Sequence, residues 1–391
     1  MKPVRLALAT LALAGSVAFL SSVTMADDFP GVSTLDDRFN VRGPMVSDGA
    51  KVIFAGIDGN VNLGDHELWT SDGTVAGTSI LKNINPSGSS NPIQITEFGD
   101  GWLFVADDGQ TGFELWFTDG TADGTRLVKD INPGPGDSWP GKAGKSLSTG
   151  MRGDGLYVID GVAYFWAFTA AGGGEPWKSD GTENGTVMIQ DLVAGTNDGM
   201  QYAGPFLETE NGVIFPSQNV VKSYDGSSVT TVTNLPIQYG LSGASVPGGA
   251  LAVVSVYTGA GTELWVTDGT VAGSSKIRDG GIFASAQLGD VLLVDMQTAT
   301  GFQLWKTDGT ISGTQLVKDI NASGYDGMLF LDTSDTHLLL LADDGVAGVE
   351  YWATDGTADG TQILGDLREG ADGQFSGSIA GFSIPPSFVD D

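Results

Sequence analysis

The sequence contains no cysteine, which excludes disulfides, thiolate metal sites and a lipid-modified cysteine behind an export signal. It has two histidines, His66 and His337, in unrelated surroundings. A multi-histidine zinc or copper site is thereby excluded, a Ser-His-Asp arrangement has few ways to be built, and each histidine reads as a surface or strand residue. Cations are scarce: 18 Lys and Arg face 48 Asp and Glu, for a formal net charge of −30. Such a surface repels nucleic acid and anionic membranes, and it favours divalent cations or solvation in salty water.

Two of those few cations, Lys2 and Arg5, precede an apolar run from Leu6 to Leu20 and then "SSVTMADD", in which Thr24 and Ala26 suit a cleavage site. This is the layout of a secretory signal peptide over residues 1–26, its apolar run too short to span a bilayer. The expected product is secreted or periplasmic, without a lipid anchor or membrane insertion, and monomeric. Its removal takes the net charge from −30 to −32. Acidity does not signal disorder here, because 41% of residues are hydrophobic and nine are tryptophan. Fifty-nine glycines imply frequent turns.

What is abundant is repetition. "ELWTSDGTVAGTSILKNI" recurs as "ELWFTDGTADGTRLVKDI", "EPWKSDGTENGTVMIQDL", "ELWVTDGTVAGSSKIRDG", "QLWKTDGTISGTQLVKDI" and "EYWATDGTADGTQILGDL". The tryptophans are Trp69, Trp116, Trp177, Trp265, Trp305 and Trp352. Between the third and fourth copies, "VVKSYDGSSVTTVTNL" keeps Asp225-Gly226 in phase although Lys222 stands at the tryptophan position. Counting it, the spacings are 47, 61, 45, 43, 40 and 47, so seven units fill the chain after the signal.

The pattern resembles the ELWxxDGT repeat proteins, exported bacterial proteins, over residues 45 to 372. Departures are Pro176, Tyr351, Gln303 and the degenerate fourth unit. The resemblance implies an exported repeat protein of propeller type, and no particular activity.

Each unit reads as four short strands. In the second these are "PIQITEF", "WLFVA", "FELWFT" and "TRLVKDI", separated by "GDG", "DDGQTG" and "DGTADG". Four antiparallel strands at this period are the signature of a propeller blade. The predicted fold is all-β: residues 27–391 form a single β-propeller of four-stranded antiparallel blades, seven in number. The count becomes six if the fourth unit is no blade, and eight if "GQFSGSIAGFSI" (373–384) starts another. Closure is expected to pair residues 39–46 with the last blade.

Alternation along strand three puts Glu114, Trp116 and Thr118 on one face and Leu115 and Phe117 on the other, so tryptophan is the natural wedge between blades. Asp-Gly-Thr reads as a turn rather than a ligand site, and a second glycine, as at Gly77, Gly124, Gly185, Gly273, Gly313 and Gly360, lets the loop close. Glu67, Glu114, Glu175, Glu263 and Glu350, beside buried tryptophans, need partners. Backbone amides of an adjoining loop or a bound cation would both serve. A second acidic set, Asp130 and Asp137, Asp191 and Asp198, Asp319 and Asp326, follows strand four at seven-residue intervals. Such oxygen ligands suit calcium, although no EF-hand spacing is present. The alternative is a connector whose aspartates cap turns, and Asp107-Asp108 and Asp343-Asp344 carry the same ambiguity.

Catalytic residues are not assigned, because the abundant carboxylates recur in register whereas a catalytic pair should look unique. The third unit carries an insertion with Trp139, Lys142, Lys145 and Arg152, next to "AYFWAF" with Trp166. Aromatics and cations together could hold a sugar or an acidic partner, and an elongated loop covering a weakened blade junction is the plainer reading. The expected function is a non-catalytic binding scaffold with a protein or polysaccharide ligand. The alternatives are a polysaccharide-active hydrolase or lyase and a calcium-stabilised structural protein of the cell surface or matrix.

Overall fold

The computed structural model describes residues 46–47, 51–57, 66–141, 155–199, 204–233, 235, 241–258, 261–322, 328–334 and 336–365. The signal sequence at 1–26 and the tail at 373–384 lie outside the described residues.

The second repeat shows how the sequence becomes a sheet. Its strands are Ile93–Phe98, Gly101–Asp107, Phe113–Thr118 and Arg126–Lys129, paired antiparallel in sequence order. Trp102 faces Thr118, Phe104 faces Trp116 and Leu115 faces Lys129, with a register shift between Leu115 and Trp116. The same shift recurs at Leu68/Trp69, Leu264/Trp265 and Leu304/Trp305, so the irregularity is part of the repeat.

Seven such four-stranded antiparallel sheets follow one another along the chain, and the fold is a seven-bladed β-propeller. The degenerate fourth unit does form a blade, from Leu207–Thr209, Gly212–Ser217, Val220–Tyr224 and Val229–Val232, which removes the six-blade alternative. Lys222 keeps its place by donating to Thr231 Oγ1 at 2.9 Å. The expected closure is corrected at its one described residue: Val46 pairs with Ile53 as the first strand of its own blade, Val46–Ser47. Residues 39–45 lie outside the described residues. No helix among the described residues is long and apolar enough to cross a membrane.

The chain divides into two compact units, the first holding blades one to three and the second blades four to seven. Within each, cores form between neighbouring sheets. In the first unit Trp116 packs with Ile53, Leu68 and Ile84 of the first blade, while Leu115 packs with Phe165, Ala163 and Trp177 of the third. In the second, Trp305 joins Val253 and Leu264 of blade five, and Leu304 joins Leu338, Leu340 and Trp352 of blade seven. Adjacent residues of one strand thus enter two different cores, as the two-residue period requires.

The scarce cations add a second tie between blades. Lys82 donates to the carbonyls of Ala122 and Thr125, Lys129 to those of Glu183 and Thr186, and Lys318 to that of Thr361. Arg126 reaches Gly181 O and Lys306 reaches Gly356 O. In every case the acceptor is in the Asp-Gly-Thr turn region of the following blade. Lys129→Met keeps the stem but removes the charged donor and is expected to cost about 1 kcal/mol, read as a lower denaturant midpoint at unchanged slope. An unchanged midpoint would mean that these ammonium groups prefer water to the turn carbonyls.

Candidate functional site

The most concentrated polar chemistry lies where strand three meets the connector to the next blade. Glu67, Glu114 and Glu175 are fully buried at the start of strand three. Glu67 Oε2 accepts Ile84 N at 2.9 Å and the Ser90 hydroxyl at 2.6 Å, and its Oε1 accepts the N–H groups of Asn85 and Ser90. Glu114 accepts Ile131 N at 2.9 Å, Asn132 N at 3.4 Å and the Ser138 hydroxyl. Glu175 accepts Leu192 N and Gly199 N, each at 2.9 Å. Of the two partners open to these glutamates, backbone amides are the ones in place. Burial pushes Glu114 up to about 8 against the pull of those donors, and Glu175 up to about 7.

Blades five and six solve the same problem differently. Glu263 accepts the Trp265 indole N–H at 2.9 Å, and Gln303 Oε1 accepts that of Trp305 at 3.2 Å. The entry to the next blade is then held from strand two: Ser255 Oγ accepts the N–H of Ile282, in the first strand of blade six, at 2.6 Å, and Asp295 Oδ2 accepts that of Met328, in the connector to blade seven, at 2.8 Å. Conversely, where the glutamate serves the connector, the indole N–H groups of Trp116 and Trp177 have no acceptor among the described residues. One acceptor position serves either the wedge or the connector, and strand two compensates.

The Asp-Gly-Thr phrase is a self-contained hydrogen-bonded turn. Asp119 Oδ1 accepts Thr121 N at 2.9 Å and the Thr121 hydroxyl at 2.6 Å, Thr121 Oγ1 accepts Gly124 N at 3.0 Å, and the Thr125 hydroxyl donates to Thr121 O at 2.7 Å. The set is repeated at Asp72, Asp180, Asp268, Asp308 and Asp355. The threonine hydroxyl holds Asp72, Asp119, Asp180, Asp308 and Asp355 below the usual aspartate range. A Cβ on Gly124 would lie 2.1 Å from Asp119 Oδ1, so the second glycine makes room for the carboxylate that closes the turn.

The sequence-predicted calcium residues separate into different tasks. Asp137 Oδ1 accepts Phe113 N at 3.0 Å and Asp198 Oδ1 accepts Gly174 N at 2.8 Å, capping strand three of their own repeats. Asp130 Oδ2 takes Gly134 N at 3.1 Å, and Asp319 Oδ2 takes the Gln303 amide at 2.8 Å. Asp191 is exposed, and Asp326 lies outside the described residues. Asp107-Asp108 and Asp343-Asp344 cap local turns. No group of three or more acidic or histidine side chains able to hold a metal occurs among the described residues.

Of the predicted ligand residues, Lys142, Lys145 and Arg152 lie outside the described residues. Trp139 and Trp166 are buried, 7% and 2% exposed. Trp139 stacks on Phe113 with centroids 4.1 Å apart, and its backbone N–H donates to Phe113 O. Trp166 is in strand Val162–Thr169, its carbonyl accepting Gly141 N at 2.7 Å. These two aromatics therefore build the stem of the insertion. Sequence reasoning missed Ser90 and Ser138, although each follows its glutamate at nearly constant distance, and it missed the strand-four lysines.

No family model matches the chain, and no curated protein matches it. Solved structures similar to it include a prolyl endopeptidase (8% identity, 84% of this chain and 50% of that chain, TM-score 0.48). Oligopeptidase B from Leishmania major shows 11% identity over 85% of this chain and 48% of that one, TM-score 0.45. A chain of a nidogen/laminin complex shows 10% identity over 68% and 92%, TM-score 0.35. The chain spans about half the length of the two peptidases. At these identities no activity follows from the likeness.

Gly124→Ala is expected to cost about 1–2 kcal/mol by displacing the Asp119 carboxylate from Thr121, and Asp119→Ala in the same chain should recover part of the loss. Simple additivity of the two in a double-mutant cycle would contradict the packing described. A thermal midpoint unchanged between calcium and excess chelator, at fixed ionic strength, is expected from carboxylates already held by N–H and O–H donors. A shift near 2.7 kcal/mol per site at a hundredfold excess over Kd would return calcium to them.

Proposed function

We propose that this protein is an exported, non-catalytic binding scaffold of the ELWxxDGT repeat type, with its ligand contact on the 142–154 insertion rather than on the repeat. The observation that carries this reading is the commitment of the repeated carboxylates: those of the turns bind their own threonines, and those at strand three of blades one, two, three and five bind connector amides or the neighbouring indole. Groups so engaged give architecture, and repetition of architecture leaves recognition to what is unique. Lys142, Lys145 and Arg152 are unique, and they are cations in a chain whose described lysines and arginines largely hold blades together. The ligand class they suit is acidic, an anionic polysaccharide or an acidic protein segment.

The test incubates the mature protein with a panel of neutral and anionic polysaccharides, following retention on immobilised glycan and release of reducing or unsaturated ends. The scaffold reading expects salt-sensitive retention of an anionic glycan, lost in a Lys142/Lys145/Arg152 triple alanine variant, with no product formed. Steady product release would establish the hydrolase or lyase instead. Retention unaffected by the triple substitution would move the contact off the insertion.

A further inference from the structure

The run Thr-Glu-Asn-Gly occurs twice, at residues 182–185 and 209–212, and the sequence contains no other Asn-Gly step. Such a step is chemically labile: without a Cβ in the way, a glycine nitrogen reaches the preceding asparagine side chain more readily than the nitrogen of a residue that carries one. Because both copies share the same three preceding residues and the same glycine, a difference between them in the folded protein comes from the fold. Both asparagines are exposed.

Asn211 is held on both sides of that reaction. Its Nδ2 donates at 2.9 Å to the carbonyl of Asp268, in the Asp-Gly-Thr turn of blade five, which fixes the side chain. Gly212, whose nitrogen would attack, begins strand two of blade four in register with Thr209. Conversion to aspartate there would set a carboxylate against a carbonyl. Asn184 instead stands in the turn between Gly173–Ser179 and Val187–Met188, and its side chain makes no hydrogen bond among the described residues. The Gly185 N–H bonds the Thr182 hydroxyl at 3.0 Å in an exposed turn, where water can take its place. Gly185 is itself required, because a Cβ on it would collide with the Asp180 carboxylate that closes the turn. The position of Asn184 is Asp123 in blade two and Asp359 in blade seven, whose turns close with the same bond, Gly124 N to Thr121 Oγ1 and Gly360 N to Thr357 Oγ1, each 3.0 Å. An aspartate therefore fits the turn unchanged.

We propose that Asn184 is a site of spontaneous deamidation in the folded protein, with water as the co-reactant, and that the fold keeps Asn211 as the amide. The Gly185 nitrogen bonds to Asn184 Cγ, the Cγ–Nδ2 bond breaks, and the proton from Gly185 leaves with the side-chain nitrogen as ammonia. Water then opens the cyclic imide at one carbonyl or the other, giving aspartate or isoaspartate without oxidation or reduction. The position gives the reaction a consequence. Lys129 of blade two donates to Glu183 O at 3.3 Å and to Thr186 O at 2.8 Å, and Arg126 donates to Gly181 O at 2.9 Å. Asn184 thus lies between the two carbonyls that Lys129 holds. The aspartyl product leaves the main chain as it was and adds a negative charge near the ammonium. The isoaspartyl product inserts a methylene into the main chain between those carbonyls and draws them out of register. Deamidation therefore ages the tie between blades two and three and spares the contact of blade four with blade five at Asn211.

Peptide mapping by mass spectrometry follows both sites in the mature protein held at mildly alkaline pH, with the urea-unfolded chain as the reference for the chemistry without the fold. The unfolded chain should convert at matching rates at the two sites. In the folded protein Asn184 is expected to convert with release of ammonia while Asn211 lags by about tenfold or more, a barrier difference of about 1.4 kcal/mol. Equal rates in the folded protein overturn the proposal, as does a faster Asn211. So does an Asn184 that stays an amide while the unfolded chain converts. Separated by ion exchange, the aspartyl form should keep the melting midpoint of the starting protein, as should Asn184→Asp, and the isoaspartyl form should melt lower. Failure of Asn184→Asp to fold, or an isoaspartyl form as stable as the starting protein, contradicts the proposed ageing of the tie.

Discussion

A buried peptide N–H must have an acceptor, and in this chain that demand falls on the segments that carry the backbone from the outer strand of one sheet to the inner strand of the next. A connector of this kind cannot satisfy itself with ladder bonds. The described connectors after blades one, two, three and six instead each have at least one N–H held by a side chain from the blade they leave, and after blade five, where Gly280 alone joins the two strands, Ser255 holds Ile282 in the first strand of blade six. The strand-three glutamate, the serine at the connector's far end and the compensating Ser255 and Asp295 all answer this requirement. The tryptophan wedge and the lysine ties act on a frame whose connectors are already fixed.

An unpartnered buried carboxylate would be unfavourable by several kcal/mol, so the glutamate is tolerable only with its donors in place. Its position two residues before the tryptophan lets one side chain choose between indole and connector. That choice explains why Glu263 and Gln303 sit in copies whose strand two supplies Ser255 and Asp295, whereas Glu114 lies opposite Ala106 in a blade where Val105 stands at the Ser255 position. The turn follows the same logic at the surface: Asp119, Thr121 and Gly124 make sense only together, because the glycine vacates the volume that the carboxylate fills.

Much of the fold was legible. The repeat gave the blade count, the alternation around Trp116 gave the two cores of each strand, and the glycines gave the turns. The fourth blade was readable through Asp225-Gly226 despite Lys222, because turn chemistry tolerates loss of the wedge. The long-range partners were not legible. Asp137 capping Phe113 N spans 24 residues, and Lys129 reaches Thr186 O across 57, distances at which sequence pattern carries no geometry. Trp139 looked available because cations surround it in sequence, yet its stacking on Phe113 is a tertiary contact that spacing does not reveal.

Site-resolved hydrogen exchange on the mature protein tests the central claim that side-chain acceptors hold the connectors. The account predicts that the amides of Ile84, Ile131, Leu192 and Met328 are protected to the same degree as strand-interior amides such as Phe104 and Val294, although none of the four belongs to a strand. Exchange of these four at the rates of open loops, while the strands stay protected, would contradict it.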